Sequence, residues 1–230
     1  ILKSQEVFIQ IPEVIEDRCT YCGLCARVCA YKAIAVVKKG VLIFPELCHG
    51  CGGCSLLCPQ KAIKEVGQRI GVMESGLSNG LSFIQGRLDI GQAMSPPLIR
   101  EIKNNIDPNL VVIIDSPPGT SCPMVESVKK SDFCLLVTEP TPFGLNDLRL
   151  SIEILRTMKI PVGVIINRAG IGDNRVEEYC YQEGIPVLMT IPFDREIAVA
   201  YSEGMPIVEV RPSYRDKFST LFSRVEELIR

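Results

Sequence analysis

Two hydrophobic patterns divide the chain. From about residue 110 onward, short uninterrupted apolar runs at 110–114, 133–138, 162–166 and 187–191 alternate with longer amphipathic stretches. Strands buried on both faces read as continuous β-branched runs, so this alternation predicts a mostly parallel sheet with helices on either side, a doubly wound α/β domain. Earlier in the chain the pattern is shorter and less regular. Residues 1–15 (ILKSQEVFIQIPEVI) alternate weakly and are interrupted by Pro12, which predicts an extended lead-in more than a stable element. Residues 33–37 and 41–44 are β-rich and flank Lys38-Lys39-Gly40, a hairpin signal. Residues 69–74 and 81–88 read as two strands joined through the turn-rich 75–80, and Pro96-Pro97 opens a helix to about Asn105. At the end of the chain Phe218, Leu221, Phe222, Val225 and Ile229 recur at helical spacing. Glu226 and Glu227 dilute the basic character of that helix, so it is expected to close the sheet and not to grip a membrane.

Cysteine spacing adds the chemistry. Eight of the eleven cysteines fall in two runs, Cys19, Cys22, Cys25, Cys29 and Cys48, Cys51, Cys54, Cys58, each spaced C-x-x-C-x-x-C-x-x-x-C. Tetrahedral zinc leaves no role for the third evenly spaced cysteine of a run. Disulfides suit small secreted domains, and the odd total argues against them. The spacing is that of bacterial ferredoxins with two [4Fe–4S] clusters, in which the fourth cysteine of each run ligates the other cluster. It implies Cys19, Cys22, Cys25 and Cys58 on one cluster and Cys48, Cys51, Cys54 and Cys29 on the other. Gly23, Gly50, Gly52 and Gly53 suit tight ligand loops, and Pro59 follows the last cysteine where the first run has Ala30. Lys61-Ala62-Ile63 repeats Lys32-Ala33-Ile34, an internal duplication.

Bulk composition narrows the function class. Apolar residues make up 47% of the chain and the net charge is −2, which predicts a packed globule without electrostatic support for nucleic-acid binding. No apolar run reaches the length of a membrane span, and the many thiols point to a reducing cytoplasm. The expected organisation is a lead-in at 1–15, a dicluster module at 16–66 and the α/β domain at 67–230.

Ligands of such sheets bind at the carboxyl ends of the strands. The first run ends VVIIDSPPGTS, placing Asp115 where a Walker-B aspartate would hold Mg²⁺, although a strand-terminal aspartate also serves as a helix cap. This segment resembles that of the MinD/ParA family of deviant-Walker ATPases. Thr138-Glu139-Pro140-Thr141, Val164-Ile165-Ile166-Asn167-Arg168 and Ile191-Pro192-Phe193-Asp194 resemble three further segments of that family in order. With the cysteine module, the chain looks like the members that carry an inserted ferredoxin domain. The resemblance implies a P-loop fold, ATP with Mg²⁺ at Asp115 and Gly119, and a base site formed by Asn167, Arg168, Pro192 and Asp194. One element of the family is missing: the sequence contains no G-x-x-x-x-G-K-[ST] loop, so the first βαβ unit is expected to be cut off upstream, encoded as a separate product or lost, and the opening on Ile1 in mid-pattern favours the first.

Three functions follow from this reading. ATP-linked electron transfer to a redox protein partner, through a nucleotide-driven switch near residues 116–121, ranks first. Delivery of whole clusters to an apo iron–sulfur protein ranks second, and a positioning ATPase with structural clusters third. ATP hydrolysis is not expected of these residues alone, and the family resemblance implies a homodimer. His49, the sole histidine, is expected to face solvent and tune a cluster by hydrogen bonding, since the eight cysteines already complete both ligand sets. Cys122 lies beside the proposed nucleotide loop and reads as a small residue at a helix start, with metal binding or cluster sensing as the alternative; Cys134 and Cys180 read as core.

Overall fold

Alternation of Val7 and Ile9 with polar neighbours builds the first sheet in the computed structural model, which describes residues 2–229. Strand β1 (Lys3–Val14) pairs antiparallel with β4 (Ile63–Ser78), and β4 pairs antiparallel with β5 (Leu81–Leu88). The lead-in is therefore a twelve-residue strand, longer and firmer than its pattern predicts. Pro12 is tolerated because β1 is an edge strand, where a missing N–H costs no ladder bond on the outer side. A register shift at Val7/Phe8 leaves Ile70 as the extra residue of β4, turned into the core with Val7, Ile9, Met73 and Leu98. Asn79 and Gly80, both at positive φ, make the two-residue turn between β4 and β5.

Between β1 and β4 lies the cysteine module: α1 (Leu24–Val28), the hairpin β2 (Ile34–Val37) and β3 (Gly40–Ile43), and α2 (Gly53–Leu56). Helix α3 (Pro96–Asn104) then packs on the first sheet, so tightly over Gly86 that a Cβ there would come within 2.6 Å of Ile102 Cδ1.

Contacts divide the chain into two compact units, one up to Ile113 and one from Ile114. The boundary expected after residue 66 falls inside β4. In the second unit, α4 (Cys122–Val128) leads to β6 (Cys134–Thr138), α5 (Pro142–Met158), β7 (Val162–Ala169), α6 (Arg175–Gln182) and β8 (Val187–Pro192). Helices α7 (Arg195–Ser202), α8 (Ile207–Val210) and α9 (Tyr214–Ile229) complete it. The strands form a parallel sheet in the order β6-β7-β8.

Helices cover both faces of this sheet. Val164 and Ile166 of β7 meet Leu145, Leu148 and Ile152 of α5 and Val176 and Cys180 of α6, while Ile165 between them meets Leu188, Met189, Tyr214 and Leu221. The terminal helix thus closes the sheet, as its spacing predicts. Cys180 is core, Cys134 is partly buried on β6, and Cys122 opens α4 with its side chain exposed.

One expected strand is missing. The run 110–114 joins no sheet among the described residues, and its apolar side chains stay exposed, Ile113 at 87%. A β-branched run becomes a strand only when a neighbour takes its backbone hydrogen bonds, and none pairs with it here. Asp115 accordingly does not end a buried strand; it lies in an irregular, exposed stretch.

Candidate iron–sulfur centres

The two cysteine runs adopt the same backbone, offset by the 29 residues that separate Cys19 from Cys48. A 3-10 turn precedes each (Glu16–Arg18 and Pro45–Leu47), and Cys19 and Cys48 close those turns by donating to the carbonyls of Glu16 and Pro45. Tyr21 and Gly50 take positive φ, as do Gly23 and Gly52, which start α1 and α2. Glycine enters this region without strain, and Tyr21 enters it at the cost of some. After each run Lys32 and Lys61 also turn left-handed. Ala33 and Ala62 then aim their N–H groups at Cys29 Sγ and Cys58 Sγ, both at 3.3 Å. Such donors stabilise a thiolate and fix the sulfur in place.

The duplication extends to the strands. Phe44 donates to the Ala33 carbonyl at 2.8 Å, and Ile15, 29 residues before Phe44, donates to the Ala62 carbonyl at 2.7 Å. Each half therefore lends a strand beside the other's last cysteine. One cavity of about 400 Å³, partly open to solvent, is lined by Cys19, Cys22, Cys25 and Cys58. A second of about 410 Å³ is lined by Cys29, Cys48, Cys51 and Cys54. The fourth cysteine of each run has crossed to the other cavity.

The cavities suit a large, sulfur-bound body. Four thiols surround each volume, and among the described residues no three cysteine, histidine or carboxylate side chains converge closely enough to hold a single ion. Burial pushes the thiols of Cys25, Cys48 and Cys54 up, and for Cys48 the neighbouring thiols and the Glu65 charge add to it. These thiols must lose protons when they bind metal.

His49 does not face solvent freely: its ring stacks on Tyr31, centroids 3.4 Å apart and 12° from parallel. Burial, with the Arg100 charge, holds its imidazole below the usual range. Sequence reasoning missed Tyr31 and Glu65. The single Ser55 hydroxyl proton is shared between Glu65 Oε1 at 2.8 Å and the Gly52 carbonyl at 2.9 Å, which sets the carboxylate beside the second run.

Residues 11–59 match the family described as 4Fe-4S dicluster domain. The protein MJ0578 of Methanocaldococcus jannaschii is 32% identical over 99% of this chain and 79% of its own length. The chain belongs to the same family as that archaeal protein. A cytosolic Fe-S cluster assembly factor, the Nubp1 homolog of Drosophila ananassae, is 28% identical over 68% of this chain and 60% of its own. An iron-sulfur cluster carrier protein of Aquifex aeolicus is 29% identical over 44% of this chain and 32% of its own. The chain is thus an iron–sulfur protein with a dicluster domain and a parallel α/β sheet, homologous to cluster carriers.

The carboxyl ends of β6, β7 and β8 bring the other candidate residues together. Arg168, at positive φ, pairs with Glu139 at 3.4 Å and lies over the Phe193 ring at 5.5 Å. Phe193 donates to the Ala169 carbonyl, and Ala169 is in register with Pro192. Asn167 is half-buried beside them. Asp194 is occupied: Oδ1 accepts the Glu196 N–H at 2.8 Å and Oδ2 accepts from Arg211 at 3.1 Å. Gly119 takes positive φ in the exposed loop that follows Asp115. Among the described residues no helix is long and apolar enough to cross a membrane.

Proposed function

We propose that the chain binds two [4Fe–4S] clusters and delivers them to apo iron–sulfur proteins. Cys19, Cys22, Cys25 and Cys58 hold one cluster, and Cys29, Cys48, Cys51 and Cys54 the other. The observation that carries this reading is the pair of cavities, each lined by four cysteines in the crossed arrangement that the spacing implies. Homology to an iron-sulfur cluster carrier protein and to a cluster assembly factor puts delivery ahead of electron transfer, reversing the order drawn from sequence alone.

The second unit is the regulatory part in this reading. It is a P-loop-like ATPase sheet whose nucleotide base lies at Asn167, Arg168, Pro192 and Asp194, where three strand ends meet as ligand sites of α/β sheets do. Asp115 and Gly119 serve Mg²⁺ and phosphate.

Anaerobic transfer tests the central claim. The reconstituted chain is mixed with an apo-ferredoxin and an iron chelator, and the acceptor is re-isolated and assayed for iron and sulfide. Delivery is expected to load the acceptor despite the chelator. Reversible one-electron cycling with no iron leaving the chain would favour electron transfer instead.

A further inference from the structure

The 29-residue offset allows the walls of the two cavities to be compared position by position, and they differ in cover and in charge. Where the first cavity has Val36, the second has Glu65; where the first has Leu24 and Tyr21, the second has Gly53 and Gly50. Where the first has Thr20 and Gln60, the second has His49 and Tyr31, so side-chain cover is exchanged between positions. The difference with no counterpart is the carboxylate of Glu65, which only the second cavity has.

Each replacement is backed by local structure. Tyr21 holds a positive φ that glycine at position 50 adopts freely, so the first half accepts strain and keeps a ring over its cavity. Glu65 is exposed, yet its carboxylate lies against the second run: Ser55 donates to Oε1 at 2.8 Å, and Oε1 lies 3.0 Å from the point a Cβ on Gly52 would occupy. The counterpart of Ser55 in the first half is Ala26, so no such latch exists there. The cover that the second cavity has in exchange is the Tyr31–His49 stack, and Tyr31 is 47% exposed.

We propose that the two sites are unequal: the cluster bounded by Cys29, Cys48, Cys51 and Cys54 is the labile one that is handed over, and the cluster bounded by Cys19, Cys22, Cys25 and Cys58 stays resident. A cluster held by four thiolates is anionic, so a carboxylate at its edge weakens retention by like-charge repulsion, and the difference lies in that charge, since the thiols of the two cavities are similarly covered. In the transfer, each bond from iron to a thiolate of this chain breaks as one to an acceptor thiolate forms, with no change in electron count. The inference rests on the carrier reading for the destination of the cluster, and on the cavity walls for the inequality.

The test is iron release from the reconstituted full chain to a ferrous chelator under anaerobic conditions, followed by absorbance. Two phases of equal amplitude are expected, and Cys51→Ser is expected to abolish the fast one. Glu65→Gln keeps a hydrogen-bonding group and removes the charge; it is expected to slow the fast phase roughly tenfold, the scale of changes to groups around a metal's ligands. Val36→Glu is expected to speed the slow phase, which guards against a Glu65 variant that merely folds poorly. A single phase, or a fast phase that Glu65→Gln leaves alone and Cys22→Ser removes, overturns the proposal. Equal release with successful loading of an apo-ferredoxin would sink the inequality and spare the carrier reading, while unequal release without loading would do the reverse.

Discussion

The cysteine module and the parallel-sheet unit are held together by different means. None of the module's short helices and 3-10 turns, from Glu16 to Leu56, contains a buried residue. In the sheet unit, Ile152, Val164 and Ile166 are fully buried in one aliphatic cluster. The module encloses two volumes that its own side chains do not fill; the sheet unit fills its interior. A polypeptide that leaves its centre to be occupied by a ligand folds on the ligand's binding energy, whereas one that packs its centre folds on apolar burial.

Removing the iron gives the sharpest break in that comparison. Exhaustive chelation is expected to abolish amide protection over residues 19–30 and 48–60, because Cys48 is the one buried residue in those ranges, while amides of β7 retain theirs. Hydrogen exchange followed by mass spectrometry reads both regions in one sample. Retained protection in the ligand loops of the apo chain would show that they fold without metal, and the contrast would fail. The complementary change is Ile152→Ala. It removes a fully buried side chain from the sheet core and is expected to cost that unit about 2–5 kcal/mol while iron content stays the same. Loss of iron in that variant would show that the module depends on the sheet unit's packing.

How much of this was legible beforehand follows the same division. The thiols lining each cavity come from one short run plus one crossing cysteine, the grouping that the ferredoxin spacing of Cys19 to Cys58 implies. The second candidate site is assembled from Glu139, Arg168 and Phe193, on three strand ends far apart in the chain. Pattern alone located the strands, and the family resemblance was needed to name the loops; neither indicated that Arg168 bridges Glu139 and the Phe193 ring. Two errors have the same origin. Pro12 suggested a loose lead-in because β1's partner, residues 63–75, lies across the whole cysteine module. Residues 110–114 suggested a strand because composition shows a strand's side chains and not its neighbour. Glu65 was findable: aligning the halves at 29 residues sets it against Val36, but the comparison gains meaning only once both are known to wall a cavity.

The smallest effect expected concerns Asp194, and it asks whether the strand-end site is built of structural or binding groups. The backbone N–H of Glu196 and the Arg211 guanidinium hold its carboxyl below the usual carboxylate range. A carboxyl depressed on folding adds stability that is present above its unfolded value, near pH 3.8, and is lost as the pH falls through the lower folded value. Asp194→Asn keeps an acceptor for the Glu196 N–H and removes the charge facing Arg211. The variant is therefore expected to lower exchange protection in α7 at pH 6, and the difference from the wild type is expected to vanish once both are below the folded titration. That outcome marks Asp194 as a cap of α7 whose charge serves the fold. If α7 protection is the same in both at pH 6 while affinity for an adenine nucleotide falls, the aspartate belongs to the ligand, and the sheet unit, like the module, keeps part of its polar design for something it binds.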